Sequence, residues 1–136
     1  MSKLQYIYGL ASATGTSRKL NCDTTYAHIW SDVPHIDGQN IGLFMIADGT
    51  GAADWGLTAS RLAIEIVSQE IESYISKPGD LSISEMMTAA FQKANSEVLD
   101  KVHLGGTTLT TGLLMGNQLY IAHVGDSRLY VSTMIR

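Results

Sequence analysis

An acidic residue ends an apolar run in the stretch FMIADGTGAADWG, which covers residues 44–56. A carboxylate at the tip of a buried strand, followed by glycines, leaves its oxygens and the next backbone carbonyl open to a hard cation such as Mg²⁺ or Mn²⁺. Asp48 and Gly49 are therefore candidate metal ligands. The same residues also suit a plain strand-to-helix turn, in which Asp48 accepts hydrogen bonds from backbone amides. Spacing alone leaves both interpretations open.

A second group of polar residues lies in SRKLNCD, residues 17–23, at the predicted edge between the first two strands. The guanidinium of Arg18 offers a planar set of donors that suits phosphate. Asp23 could hold a metal ion or the water bound to one. In isolation, an Arg and an Asp near a turn are more often a solvated pair.

A third candidate is the stretch HVGDSRLYV, residues 123–131, which includes Asp126 and Arg128. A Gly-Asp-Ser turn between two apolar strands is ordinary hairpin chemistry, so this segment taken alone favours a structural interpretation.

Strands and helices must bring these groups together. Alternating or β-branched apolar residues predict strands in the first and last thirds of the chain. The predicted strands are Gln5 to Ala13, Thr24 to Trp30, Ile41 to Ala47, Thr107 to Met115, Leu119 to Val124 and Arg128 to Thr133. An Asp-Gly pair within His35 to Asn40 predicts a hairpin between the second and third strands.

The middle of the chain changes to a helical period. Apolar residues recur at three- and four-residue steps from Gly56 to Ile75 and predict a long amphipathic helix. A second helix is predicted from Ser82 to about Leu104, with Ser82 and Glu85 at the spacing of a capping box. Strands, two helices and strands again predict a single α+β domain over residues 1–136.

Composition narrows the class of protein. The chain has 136 residues, a formal net charge of −4 and no cluster of Lys and Arg, which argues against binding to nucleic acid. The one cysteine and the lack of a signal-like N-terminus predict a reducing, cytoplasmic setting. Apolar runs stay far below the roughly 20 residues needed to span a bilayer, so we expect no membrane crossing.

The order of the motifs adds what no single motif provides. Taken together they resemble the metal-dependent protein phosphatases of type 2C. The motifs are Arg18-x-x-Asn21-x-Asp23, Ala47-Asp48-Gly49-x-Gly51 with Gly56 and Ala59-Ser60 downstream, Gly106-Thr107-Thr108 and Val124-Gly125-Asp126-Ser127-Arg128.

The resemblance implies an α-β-β-α sandwich of antiparallel sheets with flanking helices, and a centre of two Mg²⁺ or Mn²⁺ ions. It implies hydrolysis of phosphoserine or phosphothreonine in a protein substrate by a metal-activated water. Asp48 is similar to the carboxylate that bridges both ions, Gly49 to the residue lending its carbonyl, and Asp23 to a direct or water-mediated ligand. Arg18 resembles the arginine that grips phosphate.

The sequence also departs from the family pattern. Cys22 stands where many members have Glu, and a thiol is a poor ligand for Mg²⁺. The later part of the family's domain, with two further aspartates, is absent before Arg136. We therefore expect a truncated domain with weak metal affinity, and a homodimer or a partner chain covering the open sheet. A catalytically inactive, phosphatase-like regulatory module and a hydrolase of small phosphate esters are the alternative functions.

Overall fold

The computed structural model describes residues 3–134 and has the predicted α+β order. Two helices lie between strands in the chain, and the bounds of these elements follow. They are β1 Asp23–Val33, β2 Gln39–Gly51, α1 Trp55–Ser76, α2 Ile83–Lys101, β3 Gly105–Thr107, β4 Leu109–Met115 and β5 Gln118–Val124. All strand pairs are antiparallel, in the order β1-β2-β4-β5, and the short β3 pairs with the end of β2.

The hairpin between β1 and β2 is formed by the predicted Asp-Gly pair. Asp37 and Gly38 have φ angles of 55° and 69°, the left-handed region that Asp tolerates and Gly favours. The Gly38 amide donates to the Val33 carbonyl at 3.0 Å and closes the turn. The register then runs from Trp30 opposite Ile41 to the far end of both strands.

One face of the sheet packs against both helices. Leu43 on β2 and Leu113 on β4 are cross-strand partners, and both are fully buried. Val67 and Ile71, on the inner face of α1, belong to the same core. Because each such side chain contributes about 1.5–3 kcal/mol when fully buried, this layer fixes the strand register.

Helix α2 begins where the sequence predicted. The Ser82 side chain accepts from the Glu85 amide, and the Glu85 side chain accepts from the Ser82 amide, so the capping box is complete. The helix ends at Lys101, three residues before the predicted Leu104, because Val102 is already extended at φ −115° and ψ 104°. The chain can then enter β3.

Two predicted strands are wrong. The segment from Gln5 to Ala13 forms no backbone ladder with any strand. Side chains of this segment contact the sheet instead; for example, the Tyr6 hydroxyl donates to the Gly116 carbonyl at 2.7 Å. The Arg128 to Thr133 segment also forms no ladder. The apolar residues of this segment suited a strand. The side chain of Leu129 lies over Gly112 of β4, but the segment forms no backbone ladder with the sheet. The predicted strand from Thr107 to Met115 is divided at Thr108 into β3 and β4.

The sheet face opposite the helices is partly open. Ile46 is 49% exposed and Ile121 52%, although both are apolar. The N-terminal segment covers some of this face, since the ring centroids of Tyr8 and Phe44 are 5.8 Å apart. Residues 3–134 thus form one antiparallel sheet whose packed helices lie on one side.

Neither helix in the described part of the chain is apolar over enough of its length to cross a bilayer.

The capping box gives a direct test of local stability. Ser82→Ala removes the side-chain acceptor of the Glu85 amide, so we expect it to lower the free energy of unfolding by about 1 kcal/mol. Ser84→Ala, in the same turn, is the control and should change it by less than about 0.5 kcal/mol. Urea unfolding followed by circular dichroism measures both, and equal losses in the two variants would contradict the assignment of the cap.

Candidate active site

Two carboxylates face each other at one end of the sheet. Asp23 is the first residue of β1, and the register makes it the direct cross-strand partner of Asp48 on β2. Directly opposite residues of an antiparallel pair project from the same face, here the one away from the helices. Both residues are exposed. The hairpin register therefore brings together two carboxylates that are 25 positions apart in the sequence.

Arg18 completes a small polar pocket with these two residues. It lies in the loop before β1, is exposed, and lines a pocket of about 260 Å³ together with Asp23 and Asp48. The predicted catalytic arginine and both predicted carboxylate ligands thus border one cavity. A pocket with paired carboxylates and a guanidinium has the groups needed to hold a divalent cation and a phosphate side by side.

The charges in this pocket alter the acidity of Asp23. Partial burial of its carboxyl group raises the pKa of Asp23, and the negative charge of Asp48 raises it further. Arg18 acts in the opposite direction, because its positive charge favours the ionised form. The charge of Asp48 thus opposes the ionisation of Asp23, and a cation bound beside the pair would relieve this opposition.

Asn21 shapes the loop that carries Arg18. Its side-chain oxygen accepts from the Asp23 amide at 3.0 Å, and its side-chain nitrogen donates to the Ser12 hydroxyl at 2.8 Å. The first contact is a local turn of the kind that Asn favours. It fixes the chain direction just before β1 begins, so the motif residue between Arg18 and Asp23 has a structural task.

Gly49 is buried where the first turn of α1 approaches β2. A Cβ atom at this position would lie 2.0 Å from the Gly56 carbonyl oxygen and 2.7 Å from that of Cys22. Only glycine fits, and its amide donates to the Cys22 carbonyl at 3.2 Å. The glycine after Asp48 thus has a packing role, in addition to its predicted role as a carbonyl ligand.

Thr108 holds the backbone of Asp48 from two directions. The Thr108 amide donates to the Asp48 carbonyl at 3.0 Å, and the Asp48 amide donates to the Thr108 hydroxyl at 3.0 Å. The same hydroxyl lies 2.9 Å from that of Ser127, which links the Gly-Asp-Ser turn to β2. Thr108 belongs to one of the sequence motifs, but the sequence assigned it no role. Its contacts are with residues 60 and 19 positions away, which local sequence does not reveal.

The other candidate groups contribute no further acidic side chain to this pocket. Asp126 is exposed in the turn after β5 and does not line it. Cys22 lines it but takes part in the site's hydrogen bonds through its backbone carbonyl. A larger cavity of about 780 Å³ near Gln39, at the other end of β2, has only one lining carboxylate, that of Asp37. The chemistry therefore points to the smaller pocket.

The oxygen atoms around this pocket suit a hard cation, but they provide few of the ligands that such a cation needs. Two carboxylates and nearby backbone carbonyls are oxygen donors of the type that Mg²⁺ and Mn²⁺ prefer. Within residues 3–134, no group of three or more His, Cys, Asp or Glu side chains is arranged to hold a metal ion. Water, phosphate or further residues would have to supply the remaining ligands.

Known protein phosphatases are similar to this chain in sequence. A rice (Oryza sativa subsp. japonica) protein, probable protein phosphatase 2C 45, is 30% identical over 129 residues, which are 91% of this chain and 41% of that protein. The serine/threonine protein phosphatase PstP of Mycobacterium tuberculosis is 31% identical over 130 residues, which are 91% of this chain and 22% of PstP.

Solved structures match in fold as well. The crystal structure of Mycobacterium tuberculosis PstP has a TM-score of 0.62 and 31% identity, and the match covers 84% of this chain and 44% of that one. The catalytic domain of PstP in complex with two manganese ions has a TM-score of 0.61 and 31% identity over 84% of this chain and 45% of that chain. The present chain thus spans less than half of these relatives.

The family described as Protein phosphatase 2C matches residues 19–134, from the loop of Arg18 to the last described residue. That range holds the Asp23–Asp48 pair, both helices and all the strands. The chain therefore belongs to the protein phosphatase 2C family.

Proposed function

We propose that this chain provides part of the active site of a metal-dependent phosphoserine and phosphothreonine protein phosphatase. The observation that carries the proposal is the pairing of Asp23 with Asp48 across two strands, with Arg18 on the same pocket. Family membership supports the reaction class. The activity of the whole protein is part of the proposal, because the chain spans only 41% of the rice relative's length.

Each residue has a task that follows from its position. Asp48 and Asp23 present oxygens of like charge to the same space, where a divalent cation would replace their mutual repulsion with attraction. Gly49 would contribute its carbonyl oxygen. A bound Mn²⁺ or Mg²⁺ would supply positive charge that polarises a phosphoryl oxygen and makes a water molecule more acidic. Arg18 would donate hydrogen bonds to the phosphate oxygens and orient the ester.

The substrate and the metal are inferred from relatives. PstP is named a serine/threonine protein phosphatase, and one of its structures is described as a complex with manganese ions. We extend both properties to this chain, so the substrate would be a phosphorylated protein and the metal Mn²⁺ or Mg²⁺. The described pocket has two carboxylates to balance the charge of such ions, so we expect weak metal binding by these residues alone. A cytoplasmic setting also stays a prediction.

The first test separates metal binding from turnover. We expect the purified chain to bind Mn²⁺ in calorimetric titration and to hydrolyse p-nitrophenyl phosphate only when Mn²⁺ is present. Asp48→Asn should reduce both by at least about tenfold, because the remaining carboxylate faces a neutral amide. Asp80→Asn, in the exposed link between the helices, is the matched control and should change neither.

Different results would lead to different conclusions. Mn²⁺ binding without turnover would favour the inactive regulatory module. Absence of Mn²⁺ binding at millimolar concentration, or equal binding by Asp48→Asn, would contradict the proposed site. Comparing a phosphothreonine peptide with p-nitrophenyl phosphate would then distinguish a protein phosphatase from a hydrolase of small esters.

The paired carboxylates also predict a pH dependence of stability without metal. Because the pKa of Asp23 is raised in the folded chain, the folded state binds protons more readily than the unfolded state, and stability falls as pH rises. The penalty is absent below the unfolded-state pKa, about 3.9. It grows up to the raised folded-state pKa and is complete above it.

Removing the charge of Asp48 should lessen this penalty. At neutral pH without metal, we expect Asp48→Asn to be more stable than the unmodified chain by about 0.2–1 kcal/mol, the scale of exposed charge pairs. At pH 3 the difference should vanish. Urea unfolding across the pH range, with a chelator present, measures it. Equal or lower stability of the variant at neutral pH would mean that the two carboxylates do not oppose each other.

The exposed apolar sheet face supports the prediction that a second copy or a partner chain covers it. Ile121 and the neighbouring segment with Tyr130 and Val131, which are 52%, 79% and 69% exposed, would then lose contact with water. We expect the isolated chain to form a dimer in light scattering coupled to size-exclusion chromatography. A well-folded monomer over the whole concentration range would contradict self-association.

A further inference from the structure

A buried hydroxyl on α1 lies behind the paired carboxylates. Ser60 is in the second turn of this helix, one turn after Gly56, and has 0% exposure. A serine in a helix interior usually faces solvent or bonds to its own helix. Ser60 instead faces the sheet, where α1 crosses the start of β1 and the end of β2.

The contacts of Ser60 extend to two residues of the chain before and within β1. Its hydroxyl donates to the Cys22 carbonyl at 2.7 Å and lies 2.8 Å from the Thr24 hydroxyl. The carbonyl of Leu57, within the helix, is farther away at 3.2 Å. A hydroxyl has one proton, so if Ser60 donates to Cys22, Thr24 donates to Ser60. The result is a chain of hydrogen bonds from Thr24 through Ser60 to Cys22.

Asp23 lies between the two residues that Ser60 contacts. Its neighbours on either side are thus fixed to α1, one through a carbonyl and one through a hydroxyl. The Cys22 carbonyl also accepts from the Gly49 amide, at 3.2 Å, next to Asp48. One carbonyl therefore receives hydrogen bonds from α1 and from β2.

The close contact of Gly49 with Gly56 makes this arrangement possible. A Cβ atom on Gly56 would lie 2.8 Å from the Gly49 carbonyl carbon, so the helix can approach only with glycine at both positions. Ser60 follows four residues later, on the same side of the helix. This side of α1 therefore contacts the residue beside Asp48 through Gly56 and the residues beside Asp23 through Ser60.

We propose that Ser60 is a positioning residue that sets the separation of Asp23 and Asp48 for cation binding without touching the cation. The inference rests on the proposed function, in which this pair binds the metal. A hydrogen-bond chain across α1, β1 and β2 keeps the two aspartates at one spacing. Without the hydroxyl, the Cys22 carbonyl loses its partner on the helix, and the start of β1 can move relative to β2.

The helix contains a matched control. Ser68 is also buried, at 8% exposure, but its hydroxyl donates to the Glu65 carbonyl within the same helix at 3.0 Å. Ser60→Ala and Ser68→Ala thus remove the same atom from the same helix, and the Ser60 hydroxyl alone is bonded to the loop of Asp23. Thr24→Val and Thr24→Ser form a second pair of variants. Val removes the Thr24 hydroxyl that bonds to Ser60, and Ser keeps a hydroxyl there.

The experiment measures Mn²⁺ affinity by calorimetry and amide hydrogen exchange by nuclear magnetic resonance in the metal-free chain. We expect Ser60→Ala to weaken Mn²⁺ binding about tenfold and to speed exchange of the Gly49 amide severalfold relative to core amides such as that of Leu113. Ser68→Ala should leave the affinity and this ratio unchanged. Thr24→Val should weaken binding in the same direction, and Thr24→Ser should restore it.

The outcomes separate this inference from the proposed function. If the unmodified chain binds Mn²⁺ and Ser60→Ala binds it equally well, Ser60 does not position the site, and the proposed function stands. If exchange rises equally at Gly49 and Leu113, the hydroxyl only stabilises the fold, and the inference is overturned. If the unmodified chain does not bind Mn²⁺, the proposed function and the inference both fall. Should Ser60→Ala not fold, the two Thr24 variants decide.

Discussion

The candidate site is defined by one unfavourable interaction, the repulsion between two carboxylates at the ends of β1 and β2. Asp23 and Asp48 are direct partners in the register, and like charges in that relation destabilise a sheet. Partial burial, and then the negative charge of Asp48, raise the pKa of Asp23, and Arg18 partly offsets this increase. Perturbed acidic groups in a pocket are typical of functional sites, because only a partner that supplies positive charge makes such a pair favourable.

The fold holds this pair through the strand that carries Asp48. Alternate residues of β2 point into the core, and Met45 and Ala47 are 1% and 0% exposed immediately before the exposed aspartate. A shift by one residue would bury Asp48 and expose that apolar set, so the hydrophobic layer specifies the register that places Asp48 beside Asp23. The free energy gained by burying apolar side chains along β2 thus offsets the repulsion between the two carboxylates at its end.

Sequence reasoning succeeded where the determinant was local. The Asp37-Gly38 pair predicted the hairpin, and the apolar period with the Ser82 cap predicted the helices. Of the residues that the order of motifs predicted, the structure places Arg18, Asp23 and Asp48 around one pocket, and their roles there stay predictions. The segment from Gln5 to Ala13 was wrongly predicted as a strand, because a strand needs a partner with free backbone groups, and composition says nothing about one.

The supporting hydroxyls could not be predicted for a related reason. Each hydroxyl makes at least one hydrogen bond to a residue 36 to 60 positions away in the sequence. This holds for Thr24, Ser60 and Thr108. Ser60 and Thr108 lie in motifs that resemble the family, but those motifs do not specify the contacts, and nothing in the local sequence marks Thr24. Gly49 was recognised, but its packing against Gly56 depends on how α1 approaches β2, which no single sequence pattern encodes.

The two interpretations of the DGTG segment are compatible once hydrogen bonds are assigned to atoms. In the turn interpretation, the carboxylate of Asp48 satisfies backbone donors, and the glycines serve the chain's direction. The glycines do serve packing, at Gly49 and at Gly51 with its φ of 143°. However, Thr108 pairs with both the amide and the carbonyl of Asp48, so the turn does not need that side chain to hold its own backbone. The exposed carboxylate of Asp48 is left facing Asp23, and Arg18, in the loop before β1, supplies positive charge to the same pocket.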